Sequence, residues 1–473
     1  MEEEIIKFEE DLNKIEFDNC PIGALVVDAL IIEVFNQQPV LSLFERCKDL
    51  VRLWRFRAIS NRYFFRKKEK KELGDFLSIH KNKPILTFIS NKRANLFRIN
   101  HEILKAIGPS NAICFFKEKV TFKTLETEAP LVTLDDSQID WGCSSDWEGH
   151  FNVVDKKIKI SIKKFIKQTG IPRYFVKRIY FLLIVQTQRL HSHRILLKSL
   201  NPKFVLVEYD RGSWSSPLVL AAKRVGIKTF SHTHGIISSK VAYLPLVADF
   251  LFCWGPRQKE IFESYGGPKL KIVVTGATQL SRGQPLDKCS LKKKISVDKA
   301  HKVVLFATQP MPNILKLVEL FCRGIYNQDK VVGIVRMHPS ERKSDYQRLA
   351  SRYPDILFDS GEVFSFEESL SLADLVCIYN SAFGLDAIMR GRGLCVLNPP
   401  GCGVDAKNDF VENGKIPEIQ SAKQFGFFLE KWVKSEIVQR KLETLSVKYA
   451  SDYCVDTGQD AASNCLEFIE KNH

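Results

Sequence analysis

Two runs in the first half of the chain bring chemistry-bearing side chains to the ends of apolar segments. Pro202-Lys203-Phe204-Val205-Leu206-Val207 leads into Glu208-Tyr209-Asp210-Arg211-Gly212. Residues two apart on an extended strand share a face, so Glu208 and Asp210 are expected as neighbours. A carboxylate at the mouth of a pocket can accept a proton from a hydroxyl, and the base is assigned to Asp210, with Glu208 as the other candidate. The structural alternative is a salt bridge to Arg211 or a helix cap. The second run is Ser231-His232-Thr233-His234-Gly235. Two histidines two apart suggest a metal only where further ligands stand at suitable spacing, and none do here. No metal is expected. His234, beside a glycine-containing turn, is expected instead to hydrogen-bond a substrate oxygen.

Two further runs point to anion binding. Arg336-Met337-His338-Pro339-Ser340-Glu341-Arg342 follows the apolar segment Val331–Met337. Pro339 stiffens that turn and removes a backbone donor, while Arg336, His338 and Arg342 offer donors to a phosphate or carboxylate. In Tyr379-Asn380-Ser381-Ala382-Phe383-Gly384 a strand gives way to a helix. Unpaired amides and the helix dipole favour an anion there, and Asn380 and Ser381 add side-chain hydrogen bonds. A simple N-cap by Ser381 is the alternative. Two such sites on neighbouring strands are better explained by one nucleotide phosphate than by two coincidences.

The elements that must position these runs alternate. Pro84–Ser90, Asn111–Phe116, Pro202–Asp210, Lys228–Ser231, Ala248–Trp254 and Lys271–Thr275 read as buried strands separated by amphipathic segments, as in a parallel sheet. Residues 117–160 lack a clear period and are expected to be irregular. Gly283–Ala300 has linker composition, and a second strand-helix series follows from Lys302. The expected fold is α/β: two doubly wound Rossmann-like domains facing a cleft. The first spans residues 1–285, with a helical basic N-terminal segment, and takes the acceptor. The second, 286–440, takes the nucleotide, and helices in 441–473 return to the first.

The chain has 473 residues and a formal net charge of +15, with 45% hydrophobic and 26% charged residues. That excludes a disordered or collagen-like chain and favours an anionic partner. Residues Arg46–Lys71 carry 11 Lys or Arg among Trp54, Phe56, Tyr63, Phe64 and Phe65, a mixture suited to an anionic membrane surface or to an ordinary solvated helix. Twelve scattered cysteines without a C-x-x-C pair, behind an acidic start, are expected to be reduced thiols in a cytoplasmic protein. Apolar stretches are too short to span a bilayer. No RNA-binding or zinc-finger pattern supports a nucleic-acid partner.

His234-Gly235, Tyr243-Leu244-Pro245, Ala248-Asp249, Trp254-Gly255 and Val273-Val274-Thr275-Gly276 together resemble bacterial surface-carbohydrate biosynthesis proteins of the GT-B glycosyltransferase fold. His338-Pro339 resembles the His-Pro motif of bacterial sialyltransferases, polysialyltransferases and teichoic-acid glycerophosphotransferases, and Asn380-Ser381 occupies their serine-motif position. The resemblance implies that His338 and Ser381 hold the phosphate of a cytidine-nucleotide donor, with Arg336, Pro339, Asn380, Gly276 and Gln309 in the same donor-binding set, and that Asp210 or Glu208 ahead of Gly212 supplies the base. The implied activity is transfer of a sugar, an acidic one from a CMP-linked donor, onto a surface glycan or glycolipid at the inner face of the membrane. It needs no cofactor beyond the nucleotide-sugar substrate. A CDP-glycerol-type glycerophosphotransferase and a nucleotide-sugar epimerase are the alternatives.

Overall fold

The computed structural model describes residues 2–26, 75–88, 94–116, 132–135, 145–169, 174–237, 240–280, 283, 286–311, 313–326, 328–401 and 409–473. The basic segment Arg46–Lys71 lies outside them. The chain divides into two units: Met1–Trp254, Gln258–Gln279 and Asp456–His473 form unit 1, and Gly255–Arg257 with Leu280–Val455 form unit 2.

Unit 1 opens with helix α1 (Glu2–Asn13) and a hairpin of β1 (Glu16–Phe17) and β2 (Cys20–Pro21). Then come β3 (Ile85–Phe88), α2 (Ala94–Ile107), β4 (Ile113–Phe116), β5 (Val132–Asp135), α3 (Ser145–Thr169), α4 (Tyr174–Leu200), β6 (Phe204–Val207), α5 (Ser216–Arg224), β7 (Lys228–His232), β8 (Phe250–Cys253), α6 (Pro256–Ser264) and β9 (Ile272–Val274). Strands β3 to β9 form a parallel sheet in the order β5-β4-β3-β6-β7-β8-β9. Burial on both faces explains why β4 and β6 are apolar throughout and β3 departs from that only at Thr87. The expectation of an irregular 117–160 is corrected over 145–160 by α3, while 117–131 and 136–144 lie outside the described residues. Trp147, Phe151, Val154, Ile158, Ile162 and Phe165 are all buried and recur every three or four residues, but intervening lysines hide the helical stripe from a reading of local composition.

Unit 2 contains α7 (Lys288–Lys293), β10 (Lys302–Ala307), α8 (Ile314–Ile325), β11 (Val331–Arg336), α9 (Lys343–Arg352), β12 (Leu357–Asp359), α10 (Phe366–Leu372), β13 (Leu375–Ile378), α11 (Phe383–Met389), β14 (Gly393–Leu397), α12 (Asp409–Glu412), β15 (Glu418–Ile419), α13 (Ala422–Lys434) and α14 (Glu436–Tyr453). Its sheet is parallel, in the order β12-β11-β10-β13-β14-β15. Both sheets therefore reverse strand order once, between β3 and β6 and between β10 and β13, and ligands of such sheets bind beyond the carboxyl ends at that reversal. Helix α10 starts at a capping box in which Ser365 and Glu368 satisfy each other's amides.

The linker reading of Gly283–Ala300 is also corrected. Asp287 caps α7 by accepting from the amides of Cys289 and Ser290, Leu291 is buried, and Lys292 donates to the carbonyls of Lys299 and His301. Residues 286–300 are a folded part of unit 2. At the far end, α14 stays with unit 2, and only α15 (Gly458–Asn472) belongs to unit 1. Its Ala462, Cys465 and Ile469 pack with Leu86, Phe88, Ile103 and Phe230. No helix among the described residues is long and apolar enough to cross a membrane.

Candidate functional site

The reversal in unit 2 gathers most of the expected anion-binding residues. Strands β11, β10 and β13 are consecutive neighbours, so their continuations Arg336–His338, Thr308–Gln309 and Tyr379–Ser381 emerge side by side. The Asn380 amide donates to Gln309 Oε1 at 3.1 Å, which joins the two strands at the reversal. Ser381 Oγ accepts from the Phe383 amide at 3.3 Å at the start of α11.

The His-Pro turn is built with more constraints than its motif announces. The His338 amide donates to both Thr308 Oγ1 and Glu341 Oε2 at 3.0 Å, and the Glu341 amide closes the turn on the His338 carbonyl at 2.9 Å. The Ser340 amide donates to His338 Nδ1 at 3.1 Å, with Ser340 Oγ 2.8 Å from the same nitrogen. A nitrogen that accepts from a backbone amide carries no proton, so in the neutral ring the proton sits on Nε2. The exposed imidazole thus presents Nε2 as its donor. Glu341, which the sequence reading passed over, is the residue that fixes this turn; a carboxylate three residues after the histidine was the available signal.

Arg336 does not join this set. Its Nη1 is 2.6 Å from Asp359 Oδ2 and also donates to the Phe364 carbonyl. Asp359 is fully buried and accepts from the amides of Gly361, Val363 and Phe364 as well. Burial opposes its charge, but the amides of Val363 and Gly361 and the Arg336 guanidinium outweigh that and hold the carboxyl below its ordinary range. The expected phosphate-facing role of Arg336 is corrected: it fixes the loop after β12. Arg342 pairs with Asp345 on the surface.

In unit 1, Glu208 leaves β6 beside the reversal, with Thr87 Oγ1 of β3 3.5 Å from its Oε2; its side chain is buried. Asp210 and Arg211 do other work. Asp210 Oδ2 accepts from the amides of Val247 and Ala248, each at 2.8 Å, and burial pushes its carboxyl up. Arg211 is wholly buried, paired through both terminal nitrogens with Glu9 of α1 at 2.9 and 2.7 Å, and donates to the carbonyls of Val241 and Pro245. Together they clamp 241–248. The geometry corrects the assignment of the base to Asp210, whose Oδ2 is committed to the amides of Val247 and Ala248, and the alternative in which Arg211 pairs with its neighbouring acids, since its partner is Glu9.

His234 is only partly buried, with Tyr209 edge-on at 4.6 Å and the Tyr243 hydroxyl 3.4 Å from its Nδ1. Desolvation pushes its pKa down to about 4, so the ring is neutral at pH 7. Gly276, placed by resemblance with the donor set, is instead a crossing point within unit 1. Its φ is +94°, and a Cβ there would stand 2.4 Å from the Asp456 carbonyl, where Ala277 bridges Thr457. That correction has a simple cause: the return of the C-terminal segment to this strand end is a tertiary event.

No family profile matches the chain, and no curated protein matches it. Solved structures do. S. aureus MnaA in a co-structure with UDP is 14% identical over 82% of this chain and 96% of that one, with a TM-score of 0.54. A glycosyltransferase from Rickettsia africae is 12% identical over 83% and 100%, with a TM-score of 0.52. A UDP-GlcNAc 2-epimerase from Neisseria meningitidis, bound to UDP-GlcNAc, is 13% identical over 82% and 100%, with a TM-score of 0.50. At these identities the likeness is one of fold, and the fold is of GT-B type, with two Rossmann-like units.

Proposed function

We propose that this chain is an enzyme acting on a nucleotide sugar, a glycosyltransferase that moves the sugar to the hydroxyl of a glycan or glycolipid acceptor. The observation that carries the reading is the convergence of Gln309, His338, Asn380 and Ser381 on three neighbouring strand ends at the reversal of the unit 2 sheet, with His338 Nε2 as a donor. Such a group of donors offsets the charge that builds on a departing phosphate. The UDP-bound and UDP-GlcNAc-bound proteins of like fold support a nucleotide-sugar ligand. On the acceptor side, proton transfer falls to Glu208 at the unit 1 reversal rather than to Asp210, and neutral His234 orients the hydroxyl.

The two supports for the donor differ in its base. Two of the proteins of like fold carry uridine nucleotides, whereas the His-Pro resemblance favours a CMP-linked acidic sugar. Calorimetric titration of the full chain with UDP, CMP and CDP is the test. Saturable binding of one of them, weakened roughly tenfold in His338→Ala, is expected; binding of none rejects the reading. The Neisseria likeness favours a second reading, a nucleotide-sugar epimerase. Incubating the chain with UDP-GlcNAc alone distinguishes it, because an epimerase forms a new sugar without any acceptor. Glu208→Gln is expected to lower turnover roughly 10²–10⁴-fold with nucleotide affinity retained.

A further inference from the structure

Three elements of unit 1 aim nitrogen and oxygen ligands at one point. Asp18 sits at the tip of the β1-β2 hairpin, where it and Asn19 have φ of +52° and +57°, the backbone of a tight two-residue turn. The Arg224 side chain holds the Asp18 carbonyl at 3.2 Å, so the turn is anchored. The Asp18 carboxylate is 1% exposed, and each of its oxygens meets an imidazole. Oδ1 is in contact with His150 Nδ1 of α3, and Oδ2 is 3.0 Å from His191 Nδ1 of α4. All three ligand atoms lie within 4.8 Å of one another.

We propose that Asp18, His150 and His191 form a binding site for one divalent transition-metal ion of the zinc class. Two imidazoles and one carboxylate suit such an ion, and two ligand atoms each about 2.1 Å from a tetrahedral ion stand about 3.4 Å apart, a spacing these side chains reach by small rotations. His191 is 5% exposed and His150 50%, so the ion is buried on one side and keeps its fourth position open to water beside His150. It ties the hairpin to the α3-α4 pair. One cation competes with it: Arg194 Nη2 lies 3.5 Å from Asp18 Oδ2, an ion-pair distance.

The test is a Zn²⁺ titration of the chelator-treated full chain by calorimetry, with Co²⁺ absorption as a second readout. One saturable site is expected, together with a rise in the unfolding midpoint when the ion is present. His150 is half exposed, so His150→Ala is expected to fold, as checked by circular dichroism, and to weaken binding roughly tenfold or more. Arg194→Gln removes the competing cation and is expected to tighten binding. Absence of a one-to-one site, or equal affinity in the wild type and His150→Ala, overturns the proposal.

Discussion

The carboxyl edges of the two sheets are built to the same plan and use their charged residues in opposite ways. In unit 1 the charges nearest the strand end are buried in structural contacts, Asp210 on two amides and Arg211 on Glu9 and two carbonyls. In unit 2 the buried pair Arg336–Asp359 sits on the flank of the sheet, which leaves the reversal to polar groups and an exposed histidine. The two buried aspartates also differ in sign. Desolvation wins at Asp210 and raises its pKa, whereas amides and a guanidinium win at Asp359 and lower it. A carboxylate at the end of a parallel strand is therefore not by itself a catalytic group; what its neighbours donate decides.

The comparison is most easily broken at Arg211. Arg211→Met leaves Glu9 as an unpaired buried charge and is expected to cost about 3–5 kcal/mol of stability, measured by chemical unfolding. A loss near zero would show that 241–248 needs no clamp. Arg336→Met is expected to cost about 2 kcal/mol, the scale of a hydrogen bond to a charged group, while nucleotide affinity stays within about threefold. A large loss of affinity in a folded variant would return Arg336 to the phosphate site. Because Asp359 has a lowered folded pKa, its contribution is fully present above the unfolded value of about 4 and is lost as pH falls through the folded one. The Arg336→Met penalty should therefore shrink in acid.

His338→Ala is expected to do the reverse, weakening nucleotide binding by about 1.5 kcal/mol, roughly tenfold, with the unfolding midpoint unchanged. Asp210→Asn is the smallest and the most diagnostic. Its raised pKa means that the folded state binds the proton more tightly, so this group's contribution is present at low pH and is lost as pH rises above the unfolded value. Relative to the wild type, Asp210→Asn should be less destabilising at pH 7 than at pH 4, as read from chemical unfolding at the two pH values. If turnover falls at least 10²-fold while stability is unchanged, Asp210 is the base after all.

How much of this was legible in the residues follows from the range of the forces. Strands such as Lys228–Ser231 and Ala248–Trp254 were visible because apolar period and turn residues act within a few positions, and strand alternation with amphipathic segments already dictated parallel sheets. The His-Pro turn was visible as a constrained donor for the same reason. The partner of a charge was not. Glu9 meets Arg211 across about two hundred positions, Asp456 closes on Gly276 after unit 2 intervenes, and Asp18, His150 and His191 lie on three separate elements. Burying a charge requires whatever counter-charge the packing brings near, and only the tertiary structure decides which one that is.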